Sequence, residues 1–121
     1  MLIKHLKDCI EFIAGDGCTL RELLHPAKAE LEIRYSLAHA KVPAGQKTTP
    51  HKLGTSEVYY ILSGTGLMHI GREVQNVKQH CALYIPPGST QYIENTGISD
   101  LEFLCIVDPA WKKSDEIVLG N

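Results

Sequence analysis

The chain has no run of basic residues and no long apolar stretch. Its 121 residues carry a formal charge of −2, with an isoelectric point of about 6.3. Nucleic-acid binding relies on a basic surface, and a membrane-spanning helix needs roughly 18 or more apolar residues in sequence. The start of the chain, residues 1–13, is interrupted by Lys4, Lys7, Asp8 and Glu11, whereas a signal peptide needs an unbroken apolar stretch. We therefore expect no nucleic-acid partner, no membrane partner and a cytoplasmic location.

Closely spaced cysteines are also missing. The four cysteines are widely and irregularly placed, at Cys9, Cys18, Cys81 and Cys105. No pair is separated by only two residues, which argues against a zinc ribbon or a thioredoxin-type motif. In a reducing cytosol, free buried thiols are the expected state.

Several common catalytic motifs do not occur. No glycine-rich loop is followed by a phosphate-binding lysine, and there is no Gly-x-Ser-x-Gly nucleophile elbow. Neither Ser63 nor Ser89 has a recognisable base in a triad pattern. These absences argue against phosphate-loop and serine-hydrolase chemistry.

The chain does contain short apolar segments separated by glycine and proline turns. Hydrophobic residues make up 44% and charged residues 21%, a mixture typical of one globular domain. The segments predicted as strands are 19–24, 30–42, 57–62, 67–70, 81–85, 91–95 and 101–107. Strands that recur about every 8–12 residues indicate a sandwich or a barrel. In the charged tail after them, residues 114–116 are predicted to begin a helical turn.

Two spaced groups of residues occupy the middle of the chain. The first begins at Gly45 and continues, after five, one, three and six intervening residues, with His51, Leu53, Glu57 and Gly64. The second begins at His80 and continues, after five, one, two and three intervening residues, with Pro86, Gly88, Gln91 and Asn95.

These two groups resemble the signature motifs of the cupin superfamily, over residues 45–95. The resemblance implies an all-β fold, a cupin-type double-stranded β-helix (jelly-roll) barrel with a pocket inside. It implies a single domain over 1–121, with an N-terminal strand segment 1–25, a core 42–107 and a C-terminal tail 108–121. Small cupins often pair through an N-terminal strand, so the resemblance also implies a homodimer. The alternative is that this segment folds back onto its own barrel.

The metal ligands of cupins are only partly matched. There, two histidines and the glutamate of the first motif bind one metal ion together with the histidine of the second. This chain keeps His51 and Glu57, but Leu53 and Gln91 stand at the other two positions. Leucine cannot coordinate a metal, and a neutral amide oxygen is a weaker ligand than imidazole for late first-row metals. The resemblance thus implies a set of His51, Glu57 and Gln91 for Fe, Mn, Ni or Zn; the alternative is a metal-free polar pocket closed by hydrogen bonds.

Strand alternation predicts which other side chains line the pocket. If Glu57 faces inward, so does Tyr59, and Phe103 shares a face of the last strand with Cys105. We take Tyr59, Phe103 and Cys105 as ligand-binding candidates, Cys105 because some small metal-binding cupins carry a similar Phe-Leu-Cys segment. The alternatives are core packing for Tyr59 and an inert buried thiol for Cys105. Glu57 is the candidate catalytic residue, as a base.

The histidine that opens the second group departs from the cupin pattern. His80 stands where the motif has glycine, and since only glycine adopts positive φ freely, we expect a local change of turn. Most histidines outside the motifs are expected at the surface or in turns; they are His5, His25, His39 and His69.

Two kinds of function agree with the resemblance. One is a divalent-metal-dependent enzyme of the dioxygenase or sugar/sugar-phosphate isomerase type, acting on a small polar molecule. The other is a non-catalytic module that binds or senses a small ligand without a tightly bound metal, which the replacements at 53 and 91 favour. The fold by itself does not choose between them.

Overall fold

Short strands make up most of the molecule. The computed structural model describes residues 1–120, so Asn121, the end of the predicted tail, lies outside the described residues. The strands are β1 (Glu11–Ile13), β2 (Thr19–Leu24), β3 (Ser36–Val42), β4 (His51–Leu53), β5 (Ser56–Ser63), β6 (Thr65–Ile70), β7 (Glu73–Lys78), β8 (Ala82–Ile85), β9 (Gln91–Asn95), β10 (Leu101–Asp108) and β11 (Glu116–Val118). Two 3-10 turns span Leu6–Asp8 and Lys113–Asp115, the second of which overlaps the predicted helical turn. Within residues 1–120, no helix is long and apolar enough to cross a membrane.

The strands form two antiparallel sheets. The first has the order β1-β2-β3-β10-β5-β8 and the second the order β11-β4-β9-β6-β7. From β3 onward the chain moves repeatedly between the two sheets, so that β5, β8 and β10 belong to the first while β4, β6, β7 and β9 belong to the second. This is a jelly-roll barrel, and the predicted fold is confirmed.

Period-2 alternation decides which side chains enter the barrel. On β10, Leu101, Phe103, Cys105 and Val107 are buried, while the residues between them are partly exposed. On the neighbouring β5, the buried residues Glu57, Tyr59 and Ile61 pair with Val107, Cys105 and Phe103 in register. Successive residues of a strand point to opposite faces, so these two strands build much of the inner wall.

One end of the barrel is filled by apolar side chains. Ile61, Ile93 and Leu101 have no exposed surface, and Val42 pairs with Leu101 across β3 and β10. Gly66 lies against this cluster: a Cβ atom there would come within 2.9 Å of the Glu94 carbonyl oxygen and of Leu101 Cδ2. The packing therefore requires glycine at this position.

The observed strands differ from the prediction in two ways. Residues 30–35 alternate apolar and charged residues, but the strand begins only at Ser36, because its partner β10 ends at Asp108, just before Pro109. The short or largely polar strands β4, β7 and β11 were not predicted, and β1 was predicted only as part of the N-terminal strand segment 1–25. Three-residue strands carry too little periodicity to detect, and β7 exposes every residue except Val77.

The expected change of turn at His80 is wrong. His80 itself takes the left-handed conformation, with φ of 74°. Its backbone N–H donates to the Ile61 carbonyl at 2.9 Å, and its Nδ1 lies 3.2 Å from the Tyr60 hydroxyl. Histidine is one of the non-glycine residues that tolerate this region, so the turn is kept and the side chain holds it.

The N-terminal segment folds onto its own barrel. β1 pairs with β2, in the register Glu11–Arg21, Phe12–Leu20 and Ile13–Thr19. All three residues of β1 are nevertheless exposed. The segment therefore completes the first sheet and leaves an apolar edge.

Candidate functional site

A cavity of about 450 Å³ opens between the sheets at the end of the barrel opposite the apolar cluster. Its inner wall is made of buried residues: Asp16, Cys18, Ser36, His51, Leu53, Glu57, Tyr59, Phe103, Cys105 and Val107. Its mouth is formed by exposed or half-buried residues from both ends of the chain: Phe12, Ile13, Ala14, Gly15, Leu20, Glu22, Lys28, Ala38, Trp111, Lys113 and Glu116. The N-terminal and C-terminal segments, which the two motifs do not include, thus shape the entrance.

The structure brings the three predicted polar residues together. His51 begins β4 and lies directly opposite Gln91, the first residue of β9. Glu57 reaches the same place from β5, in the other sheet. Only 3% of His51, 6% of Glu57 and 1% of Gln91 is exposed, so all three are held inside the barrel.

A chain of hydrogen bonds joins these residues. The Tyr59 hydroxyl donates to Gln91 Oε1 at 3.0 Å, and Gln91 Nε2 donates to Glu57 Oε1 at 3.0 Å. Both ends of the amide are therefore occupied, which fixes its orientation. Within residues 1–120, Glu57 Oε2 has no hydrogen-bond partner, and Glu57 lines the cavity.

His51 is oriented by its own backbone neighbour. Its Nδ1 lies 2.8 Å from the Thr49 carbonyl oxygen, and since a carbonyl only accepts, Nδ1 carries the hydrogen. Its Nε2 lies 3.7 Å from Asp16 Oδ2. The imidazole and this carboxyl group therefore stand side by side in the cavity wall.

Asp16 is a site residue that sequence reasoning missed. It belongs to the Asp16-Gly17 turn between β1 and β2, a pair that usually marks an exposed hairpin turn. Here only 7% of Asp16 is exposed, because Thr49 N–H donates to its carbonyl at 2.6 Å and Cys18 N–H donates to its Oδ1 at 3.1 Å. The sequence contains no local signal for this inward turn.

Burial controls the charges in the cavity. Desolvation raises the pKa of Glu57 to about 8; the hydrogen bond from Gln91 opposes this, and the nearby charges of Asp16 and Glu116 add to it. Glu57 is therefore largely protonated at pH 7. Desolvation also raises the pKa of Cys18 and of Cys105, so neither thiol is poised as a nucleophile.

The three predicted ligand-binding residues all lie in the cavity wall. Tyr59 and Phe103 are in ring contact, with centroids 4.4 Å apart and planes tilted by 36°. Cys105 pairs with Tyr59 across β10 and β5. Leu53, at the replaced histidine position, adds an apolar surface. Their role in binding stays a prediction.

The donor atoms do not fit a resident metal ion in this arrangement. Among residues 1–120, no group of three or more His, Cys, Asp or Glu side chains is placed to hold one. Gln91 would have to give up the bond from Tyr59 to turn its oxygen toward an ion, and Leu53 offers no donor. The hydrogen-bond chain satisfies the amide without a metal.

Comparisons with known proteins give a consistent result. A family model described as a cupin domain matches residues 38–107. The uncharacterized protein MJ1618 of Methanocaldococcus jannaschii is 44% identical over 109 residues, which cover 89% of this chain and 86% of that protein. An oxalate-binding protein of Thermotoga maritima is 38% identical over 71 residues, 58% of this chain and 59% of that one.

Solved structures share the fold. A predicted oxalate decarboxylase from Thermotoga maritima has a TM-score of 0.77 and 26% identity, covering 89% of this chain and 99% of that one. The polyketide cyclase RemF from Streptomyces resistomycificus has a TM-score of 0.82 and 18% identity, covering 100% of this chain and 87% of that one. At 18% identity, RemF supports the barrel and nothing finer.

Proposed function

Because this chain belongs to the cupin family, whose barrel here encloses a cavity, we propose that it binds a small, partly polar organic molecule there without a resident metal ion. The observation that carries the proposal is the hydrogen-bonded series Tyr59–Gln91–Glu57. It satisfies the side-chain amide of Gln91, which stands where cupins have a metal-binding histidine. It leaves Glu57 Oε2 without a hydrogen-bond partner within residues 1–120, in a side chain that lines the cavity together with His51. Few polar groups in a largely apolar pocket are typical of small-molecule sites.

Glu57 is the residue through which the pocket would do more than bind. A carboxyl group with a pKa of about 8 exchanges its proton near neutral pH, as general acid–base catalysis requires. We propose Glu57 as the proton-exchanging group of the site, and Tyr59, Phe103 and Cys105 as contacts for the apolar part of the ligand. If Glu57 transfers its proton to or from the bound molecule, the same pocket is catalytic and needs no metal ion.

A divalent-metal-dependent enzyme is the second candidate, of dioxygenase or sugar/sugar-phosphate isomerase type. The oxalate-binding relative favours it. Oxalate is a dianion, and in a buried cavity beside Asp16 it would need a cation to balance its charge. The candidate metal set is His51, Glu57 and Gln91, and the candidate ions are Fe, Mn, Ni and Zn.

Metal content per chain separates the two candidates. Untagged protein, purified without chelators, should carry less than about a tenth of an equivalent of any first-row metal by mass spectrometry, since one imidazole and one amide bind weakly. About one equivalent, lost in His51→Ala but retained in His69→Ala, a half-buried histidine that does not line the cavity, would overturn the metal-free proposal. The double change Leu53→His with Gln91→His should restore measurable Zn affinity, because it supplies two imidazoles.

We also propose a homodimer. The outer face of the first sheet is apolar, with Leu104 beside Tyr60 and Ile106 beside Val58 in register. Tyr84 of the edge strand β8 is 62% exposed and pairs with Val58. A second copy covering such a face removes apolar area from water.

The dimer is tested by mass in solution. Light scattering should give about twice the chain mass of 13.4 kDa. Tyr84→Lys should shift it to monomer if the sheet face pairs, and Ile13→Lys should do so if the N-terminal strand pairs. A monomeric wild type overturns the proposal.

All four cysteines are free in the structure, and on that ground we propose a reducing, cytoplasmic location.

A further inference from the structure

The buried end of the cavity presents an unpartnered carboxyl oxygen to a ligand. Asp16 is only 7% exposed, and its Oδ2 makes no hydrogen bond within residues 1–120. His51 Nε2 lies 3.7 Å from this oxygen, beyond hydrogen-bond distance. A ligand that reaches Asp16 Oδ2 must therefore bring a hydrogen-bond donor.

The charges around the cavity favour a positive ligand. Besides Glu57, which is largely protonated at pH 7, the carboxyl groups of Asp16, Glu22 and Glu116 line it, against two lysines. Lys28 is paired with Glu22, and Lys113 is exposed at the mouth. Glu116 reaches over the entrance: a Cβ atom on Gly15 would come within 2.6 Å of its Oε1. Among residues 1–120, no lysine or arginine lines the buried end, and the imidazole of His51 lies beside the carboxyl group of Asp16.

The apolar part of the wall is rich in aromatic rings. Tyr59 and Phe103 lie at the buried end, and Phe12 and Trp111 line the mouth. Aromatic faces attract organic cations, most strongly where water is excluded. Acidic and aromatic surfaces thus coincide in one cavity.

We propose that the ligand class is a small organic cation, an ammonium group attached to an aromatic or apolar body, with Asp16 as its charge partner. This inference rests on the proposed binding function and specifies its ligand. The ammonium group donates to Asp16 Oδ2, while the body of the ligand packs against Tyr59, Phe103 and Leu53.

Three probes that share a phenyl body and differ in charge test the inference. They are 2-phenylethylamine (cationic), 2-phenylethanol (neutral) and phenylacetate (anionic), titrated by calorimetry at pH 7. The amine should bind at least about tenfold more tightly than the alcohol, because it gains a partly desolvated ion pair. Phenylacetate should bind most weakly, since it would face Asp16 without a counter-charge.

Asp16→Asn isolates the charge. The amide keeps an oxygen to accept from Cys18 N–H, so the turn is preserved. The variant should lose the amine's tenfold preference while its affinity for 2-phenylethanol changes less than about twofold. Glu116→Gln at the mouth should reduce the preference about twofold, which provides a second reading if Asp16→Asn folds poorly. The matched control is Glu73→Gln, an exposed change on β7 that should leave all three affinities as in the wild type.

The outcomes separate this inference from the function it rests on. Equal or tighter binding of the alcohol or of phenylacetate overturns the cation inference and leaves a working pocket. An amine preference that survives both Asp16→Asn and Glu116→Gln overturns the assigned charge partners. Failure of all three probes to bind overturns the inference. The metal-free function is overturned by a different result, the presence of about one equivalent of bound metal.

Discussion

The two ends of the barrel are built by the same strands and differ in what those strands place inside. On β5, Glu57 and Tyr59 face the cavity, while Ile61, two residues further on, is fully buried in the apolar end. On β9, Gln91 and Ile93 show the same change over two residues. All of these positions face the interior of the barrel, where side chains are usually apolar. The polar residues at one end are therefore the exception.

The difference shows where the molecule gives up stability for a site. Burying Glu57 and Gln91 removes polar groups from water, and their mutual hydrogen bond recovers only part of that free energy. At the opposite end, Ile93 and Leu101 lose water contact at no such cost. The polar end therefore contributes less to stability than the apolar end, and equivalent changes at the two ends should differ in size.

The largest expected effect is the dependence of stability on pH through Glu57. The folded protein binds this proton more tightly than the unfolded chain, because the pKa rises from 4.5 to about 8 on folding. The stability contributed is present at low pH and is lost as pH rises through about 8. Between pH 5 and pH 9 the loss should be about 4 kcal/mol, measured by urea unfolding.

Glu57→Gln provides the comparison that isolates this group. Glutamine keeps an oxygen to accept from Gln91 and cannot ionise, so the loss due to this site should vanish. Asp16, His51 and Glu116 are unchanged in the variant. Wild-type and variant stability curves that run parallel from pH 5 to pH 9 would refute the buried, proton-binding carboxyl.

The next effect compares one substitution at the two ends. Val42 lies in the apolar cluster at 2% exposure, and Val107 lies in the cavity wall at 4%. Val42→Ala should cost about 2 kcal/mol, because it creates a new void, whereas Val107→Ala should cost about 1 kcal/mol, because it only enlarges an existing one. Equal losses in urea unfolding would mean that the cavity is closed by packing in solution.

The smallest effect concerns the hydroxyl of Tyr59. Tyr59→Phe removes the donor to Gln91 Oε1 and should cost about 1 kcal/mol, the low end for a buried acceptor, since water in the cavity can replace it. Tyr60→Phe is the control on the outer face, where the hydroxyl contacts His80 and the residue is 37% exposed. It should cost less than about 0.5 kcal/mol. A larger loss for Tyr60→Phe than for Tyr59→Phe would contradict the placement of Tyr59 inside the barrel and Tyr60 on its outer face.

Much of the fold could be predicted from sequence because the long strands carry strong periodicity. The segments 19–24 and 91–95 match β2 and β9 at both ends, and 101–107 differs from β10 by one residue. The prediction over 30–35 was wrong, since apolar alternation there has no partner strand. β4, which carries His51, is too short to show a period.

The candidate site was also predictable only in part. Motif spacing identified His51, Glu57 and Gln91 as site candidates, and the structure places them side by side. The part played by Tyr59 in fixing the Gln91 amide was not predictable, because it depends on the relation between β5 and β9 in opposite sheets. Asp16 was missed because a turn gives no sign of whether it points to solvent or to a cavity.

By itself, the sequence determined an all-β cupin barrel and the residues that face its interior, because strand periodicity and motif spacing are local properties of the chain. Only the tertiary structure decided which polar atoms stay free at the buried end. Hydrogen bonds between strands of different sheets engage Gln91, and the inward turn of residues 14–18 adds the carboxylate of Asp16. Those contacts join residues far apart along the chain, so no local pattern encodes them.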